Sequence, residues 1–206
     1  MRFVTAFLVS LIIASLAGCS SAQQVSSVSD MRKLDRKILI VYLSRTNNTK
    51  VVAEIIHDEV GGTIVPIELE KPYPENYRAI VDQVVEENES GFLPPLKTKI
   101  DRIEQYDTIF VGFPTWDMKI PPPIKSFLKQ YDLKGKTVIP FNTHAGYGEG
   151  SSFETVKELC RGSTVLEGFV TKGGIEKDGV LLAIKDARAA KVKTEIQKWL
   201  RKIKLI

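Results

Sequence analysis

The residues best placed to do chemistry lie in three loops. The first loop is Ser44-Arg45-Thr46-Asn47-Asn48-Thr49, a run of hydroxyl and amide side chains broken by one guanidinium. It follows the apolar, β-branched stretch 38–43 and precedes a helical spacing of Val52, Ile55, Ile56 and Val60 that stops at Gly61-Gly62. A strand entering a helix through such a turn aims several backbone N–H groups at one point, and the helix N-terminus adds partial positive charge there. The turn is therefore an anion site, and the hydroxyls of Ser44, Thr46 and Thr49 complete a shell suited to a phosphate monoester. No lysine stands where a P-loop requires one and no G-x-G-x-x-G occurs, which sets nucleoside triphosphates and dinucleotides aside. A plainer reading also fits the turn, in which Thr49 only caps the helix.

The second loop holds Pro114-Thr115-Trp116-Asp117-Met118 and then three consecutive prolines from Pro121. An indole in a proline-stiffened loop is not where core packing needs it. The third loop is Thr143-His144-Ala145-Gly146-Tyr147-Gly148, with Gly150 just beyond. Its glycines let backbone approach a ligand closely while the Tyr147 ring projects. A phosphate cradle with two flanking aromatics suits a flat, phosphorylated ring system. The competing reading takes Trp116 and Tyr147 as ordinary loop aromatics.

Periodicity supplies the elements that must position these loops. Strands are expected at 38–43, 63–67, 107–112, 137–141 and 164–171, each short, apolar and β-branched. Helices are expected from Thr49, over 75–89 with Tyr77, Ile80, Val81, Val84 and Val85 inward, and around Ile124, Phe127, Leu128 and Tyr131. Two more follow at 153–160 and 186–203, the last with Ala190, Ile196, Trp199, Leu200 and Ile203 apolar. The connection 172–185 has no readable internal structure. Strands alternating with helices define an α/β fold, a doubly wound five-stranded parallel sheet with helices on both faces. Ligands in such sheets bind outside the carboxyl ends of the strands. The three loops follow strands one, three and four, so the alternation gathers them at one sheet edge.

The N-terminus carries a different signal. Arg2 precedes an apolar run, 3–17, too short to span a bilayer comfortably, which ends in Leu16-Ala17-Gly18-Cys19. This is read as a secretory signal, and the small residues before a cysteine resemble the lipobox of bacterial lipoproteins. The resemblance implies cleavage before Cys19 and acylation of its thiol and new amine; the alternative is an ordinary signal peptide that contains a cysteine. Residues 1–18 are thus expected to be signal peptide, 19–36 a Ser- and Gln-rich flexible tether, and 37–206 one domain. Ser20 lacks the acidic retention signal of some bacteria, which points to the cell envelope and to the outer membrane facing the periplasm. The second cysteine, Cys160, then has no intramolecular partner and is read as buried and inert. The formal net charge is +4, and the lysines of the last helix read as a solvated face rather than a nucleic-acid or membrane site. No metal-ligand spacing is found.

Taken together the loops carry a family resemblance. Ser44 to Thr49, with Tyr42 before and Ala53 after, resembles the FMN-phosphate motif of flavodoxins. Gly112-Phe113-Pro114-Thr115-Trp116 and Thr143-His144-Ala145-Gly146-Tyr147-Gly148 are similar to the two flavin loops of flavodoxin-like oxidoreductases. The resemblance runs from about residue 37 to the C-terminus and implies strand order 2-1-3-4-5 and one noncovalent FMN. Ser44, Arg45, Thr46, Asn47, Asn48 and Thr49 would hold the phosphate. Pro114, Thr115, Trp116, Asp117 and Met118 would line one side of the ring, and Thr143, His144, Gly146, Tyr147 and Gly148 the other. Asn47 stands where the motif often has glycine, and asparagine tolerates the left-handed backbone required. Met118 stands where related loops often carry the glycine whose peptide flips beside flavin N5. A side chain there makes positive φ costlier, which favours two-electron reduction over one-electron transfer. The expected function is a lipid-anchored FMN-dependent reductase whose electron donor and acceptor the residues do not identify. His144 is a weak candidate donor to the flavin or to an acceptor. A one-electron carrier and a binding module without flavin are the alternatives. A response-regulator receiver is a poor fit, because no acidic cluster ends strand one.

Overall fold

The computed structural model describes residues 36–206. The expected signal peptide 1–18, the lipidation site Cys19 and the tether up to residue 35 lie outside the described residues. In chain order the elements are β1 (Ile38–Tyr42), α1 (Asn48–Val60), β2 (Thr63–Pro66), α2 (Tyr77–Ser90), β3 (Thr108–Pro114), α3 (Pro122–Gln130), β4 (Thr137–His144), α4 (Ser152–Leu159), β5 (Thr164–Val165), β6 (Phe169–Lys172) and α5 (Asp186–Lys202).

All five residues of β1 are buried. Strand side chains alternate, so Ile38, Ile40 and Tyr42 feed one face while Leu39 and Val41 feed the other. The first face packs with Val52 and Ile56 of α1 and with Val192, Ile196 and Leu200 of α5. The second packs with Ile124 and Phe127 of α3 and with Val156 of α4. A strand apolar on both faces is satisfied only when helices cover both, which is the expected doubly wound arrangement. The sheet order is β2-β1-β3-β4-β5, and every pairing is parallel. Cys160 is buried, and burial pushes its thiol up to about 11, so it stays a neutral core side chain.

Four sequence expectations change. The strand expected at 164–171 is two short segments, β5 and β6, both paired to β4. The break lies opposite Pro140, which has no N–H to give the ladder, and an added Cβ on neighbouring Gly168 would sit 2.8 Å from the Pro140 carbonyl oxygen. Strands β3 and β4 run past their expected ends at 112 and 141. There the polar residues Asn142 and Thr143 pair with Phe113 and Pro114, and Asn142 Nδ2 donates to the Phe113 carbonyl at 3.1 Å. Helix α1 begins at Asn48, with Asn47 as its left-handed cap at φ 62°. Helix α2 is capped by Asn76, whose side chain accepts from the Ala79 N–H, and it buries Ile80 and Val84 as expected. Its Tyr77 and Val81 instead remain exposed, because that side of the helix borders an open cavity beside Trp116.

Candidate cofactor site

The turn after β1 has the geometry of an anion cradle. The backbone N–H groups of residues 45–49 donate to no acceptor among the described residues, and Ser44 Oγ accepts from the Lys50 N–H at 3.2 Å. Asn47 supplies the left-handed residue that turns those groups inward, as the sequence reading expected. Thr49 does not cap the helix. Its buried hydroxyl lies 2.8 Å from the hydroxyl of Thr143, tying the first loop to the third.

Arg45 and Asn48 are committed elsewhere, to the connection 173–185. Arg45 Nε donates to both carboxylate oxygens of Glu176 at 2.8 and 3.0 Å, and its other nitrogens donate to the carbonyls of Pro74 and Glu75. The Asn48 amide is saturated. Its nitrogen donates to Thr46 Oγ1 and to the Leu181 carbonyl, and its oxygen accepts from the Ala183 and Ile184 N–H groups. The connection thus folds into a strap over the turn. An Ile175–Val180 bridge closes it, and an added Cβ on Gly174 would fall 2.0 Å from the Leu181 oxygen. What Asn48 still offers a ligand is its backbone N–H.

The loop after β3 is a tight turn in which the Trp116 and Lys119 backbones exchange hydrogen bonds at 3.2 and 2.9 Å. Asp117 and Met118 inside it have φ 51° and 53°. Met118 thus already holds the positive φ that the sequence reading judged costlier for a residue with a Cβ. The left-handed conformation costs roughly 1–2 kcal/mol for a residue with a Cβ. The surroundings hold it in place. Asp117 pairs with Lys119 at 2.9 Å and accepts from Asn88. The Met118 carbonyl accepts from the Ser151 N–H at 3.0 Å. The Tyr73 and Trp116 rings form a T-shaped pair, with centroids 5.3 Å apart and planes at 90°. The Tyr73 hydroxyl donates to buried Glu87, which also accepts from Gln83 at 2.8 Å. Burial and then that bond push the Tyr73 phenol well up, so it remains a donor.

His144 organises the third loop. Its Nδ1 accepts the N–H groups of Gly146 and Gly148 at 3.0 and 3.1 Å, which leaves the neutral ring with its proton on Nε2. Burial lowers its pKa, Glu149 opposes the shift and Lys172 assists it. Gly146 and Gly148 take φ 128° and 82°, which a residue with a Cβ would resist. Thr115 Oγ1 donates to the Gly148 carbonyl at 2.9 Å and locks the second loop against the third. The Tyr147 ring projects, 71% exposed, at the rim.

These loops and the strap enclose a cleft with a cavity of about 120 Å³. Of the candidate residues it brings together Arg45, Thr46, Asn48, Thr49, Pro114, Thr115, Trp116, Thr143 and His144. Ser44, Asn47, Met118, Gly146, Tyr147 and Gly148 support or rim it without lining it, and Asp117 lines the adjoining cavity. The sequence reading missed Tyr77, Ala145, Gly173, Gly174 and Glu176 on the wall. The Gly173-Gly174 pair is a legible sign of close backbone approach. Tyr77 and Glu176 leave no such sign, since an apolar helix position and a loop carboxylate look alike in any role.

The flavodoxin family model matches residues 37–186, and the chain belongs to that family. A candidate flavoprotein from Bacteroides eggerthii is 31% identical, with a TM-score of 0.64 over 81% of this chain and 97% of its own. Another from Bacteroides uniformis is 28% identical, with a TM-score of 0.64 over 79% of this chain and 98% of its own. A flavoprotein from Lactobacillus acidophilus, solved in complex with FMN, is 24% identical over 66% of this chain and 93% of its own, at a TM-score of 0.60. No curated protein matches the chain.

Proposed function

We propose that the protein binds one FMN noncovalently and works as a lipid-anchored reductase of the cell envelope. The observation that carries the cofactor reading is the set of N–H groups at residues 45–49 with no acceptor among the described residues, beside the paired Thr49 and Thr143 hydroxyls. Such a cradle matches a phosphate monoester in shape and charge. The N–H groups of Thr46 to Thr49 would hold the phosphate, with the Thr46 and Thr49 hydroxyls. Thr115, Trp116 and the 143–148 loop would bound the ring, and neutral His144, which lines the cleft, would have its Nε2–H to donate. Bound FMN supplies two-electron reduction, and the chain's part is to orient the ring and set its surroundings with these dipoles. The relative solved with FMN favours the same ligand.

A one-electron carrier is the second reading, and one observation favours it. The left-handed backbone at Asp117 and Met118 is already present, so the Met118 side chain no longer argues against it. Anchoring rests on Leu16-Ala17-Gly18-Cys19, with the outer membrane facing the periplasm as the proposed place. Among the described residues no helix is long and apolar enough to cross a membrane. Titration with FMN and with riboflavin tests the cofactor reading: FMN binds at least 100-fold more tightly if the cradle takes the phosphate. Equal affinities refute it. Cys19→Ser is expected to move the protein from the membrane fraction to the soluble one, and retention in membranes refutes the anchor.

A further inference from the structure

A second cavity, of about 280 Å³, lies between α2 and the Trp116 loop and shares Arg45, Tyr77, Thr115, Trp116 and Glu176 with the cofactor cleft. One wall is a stripe of α2, Tyr77, Ile80, Val81, Val84 and Val85, at the spacing of a single helix face. Ile80 and Val84 are buried at 4% and 3%, but Tyr77 and Val81 stay 43% and 40% exposed over the opening. Apolar side chains left on an open wall are the informative kind of exposure.

Among the described residues three charged groups reach this cavity, and each is already paired. Arg45 and Glu176 neutralise one another at 2.8 Å, and Asp117 pairs with Lys119 at 2.9 Å. An ionic ligand would leave water for a wall that offers it no free countercharge, which is unfavourable. Size narrows the class further. An apolar cavity of about 150 Å³ accepts benzene, so this one suits two fused six-membered rings. The wall it shares through Trp116 and Thr115 places such a molecule beside the occupant of the cofactor cleft.

We propose that this cavity binds a flat, uncharged, bicyclic aromatic molecule next to the flavin. The inference names the class of molecule held at the reductase site, and so it rests on the FMN reading above.

Calorimetric titration of the FMN-loaded protein with 2-naphthol and with 2-naphthalenesulfonate separates the possibilities, because the two probes share a ring and differ in charge. The expected result is one site for 2-naphthol and at least tenfold weaker binding of the sulfonate. Val81→Glu places a carboxylate on an exposed helix position over the cavity. It is expected to weaken 2-naphthol binding at least tenfold while FMN affinity and far-UV circular dichroism stay unchanged. No heat with 2-naphthol, equal affinity for the sulfonate, or a folded Val81→Glu protein that binds 2-naphthol normally overturns the proposal. So does 2-naphthol binding that is seen without FMN and lost on loading, which would make this cavity the flavin ring's own. FMN loading is read separately, from flavin absorbance after acid release, so a failed cofactor reading and a failed cavity reading give different results.

Discussion

Asn48→Ala is expected to unlatch the strap over the phosphate turn. Asn48 is 3% exposed and holds three backbone partners on that strap: the Ala183 N–H at 2.9 Å, the Ile184 N–H at 3.1 Å and the Leu181 carbonyl at 2.6 Å. Removing each hydrogen bond costs about 1 kcal/mol net, and a donor left buried without a partner costs 1–3 kcal/mol. Water can reach Ala183, which is half-buried, but not Ile184, which is 1% exposed. The Ala183 and Leu181 bonds at about 1 kcal/mol each and the stranded Ile184 N–H at about 1–3 kcal/mol come to about 3–5 kcal/mol. In a chain of this size 1 kcal/mol moves Tm by about 2–4 °C, so Tm should drop by about 6–20 °C in a circular dichroism melt. Hydrogen exchange should speed first at 181–184. Asn48→Asp makes the test sharper. It keeps an acceptor for both N–H groups but sets a carboxylate beside the Leu181 carbonyl and the phosphate cradle. It should therefore melt above Asn48→Ala yet bind FMN more weakly. A Tm loss under about 2 °C for Asn48→Ala, with amide protection of the strap unchanged, would refute the reasoning.

Other expectations follow from the same contacts. His144 accepts two backbone N–H groups at Nδ1, so a proton there would face two donors and loosen the 145–148 loop. Because its folded pKa is lowered, the loop's stability is present above the unperturbed value near 6.5 and is lost as pH falls below it. FMN affinity should decline over that window, and His144→Asn should flatten the profile; a wild-type affinity independent of pH between 7 and 5 contradicts this. Thr49→Val keeps shape but removes a hydroxyl shared with Thr143, and it should weaken FMN by about 1–3 kcal/mol while leaving riboflavin unaffected. Gly150→Ala would put a Cβ 2.0 Å from the Met118 carbonyl oxygen at a φ of +58°, forcing the second and third loops apart. A cost of about 1–3 kcal/mol in unfolding by urea is expected. Met118→Gly relieves left-handed strain at an exposed side chain, so its Tm should hold or rise by about 2–4 °C. A clear drop would mean that the methionine side chain stabilises the turn.

How much of this could be read in advance depends on the range of each interaction. The run 38–43, apolar at every position, required cover on both faces and so demanded a doubly wound sheet. The polar turn 44–49 between strand and helix marked an anion site, because the dipole and the orphan N–H groups arise from local backbone alone. The alternation of elements was enough to gather the three loops at one edge. The sequence could not reveal what those loops' side chains would meet. Arg45 and Asn48 carry the right chemistry for a phosphate, yet they are held by Glu176 and by Ala183 and Ile184, from 131 to 136 residues away. The break between β5 and β6 needed the register that sets them against Pro140. Tyr77 and Val81 sit on the apolar face of a helix whose period is correct, but only the packing of α2 beside the Trp116 loop left them facing a cavity instead of a core. Periodicity reports on neighbours a turn apart in the chain, and it determined the elements and the edge where the site forms. Partners more than a hundred residues away meet only when the sheet closes, so tertiary structure alone decided which side chains remain free to bind.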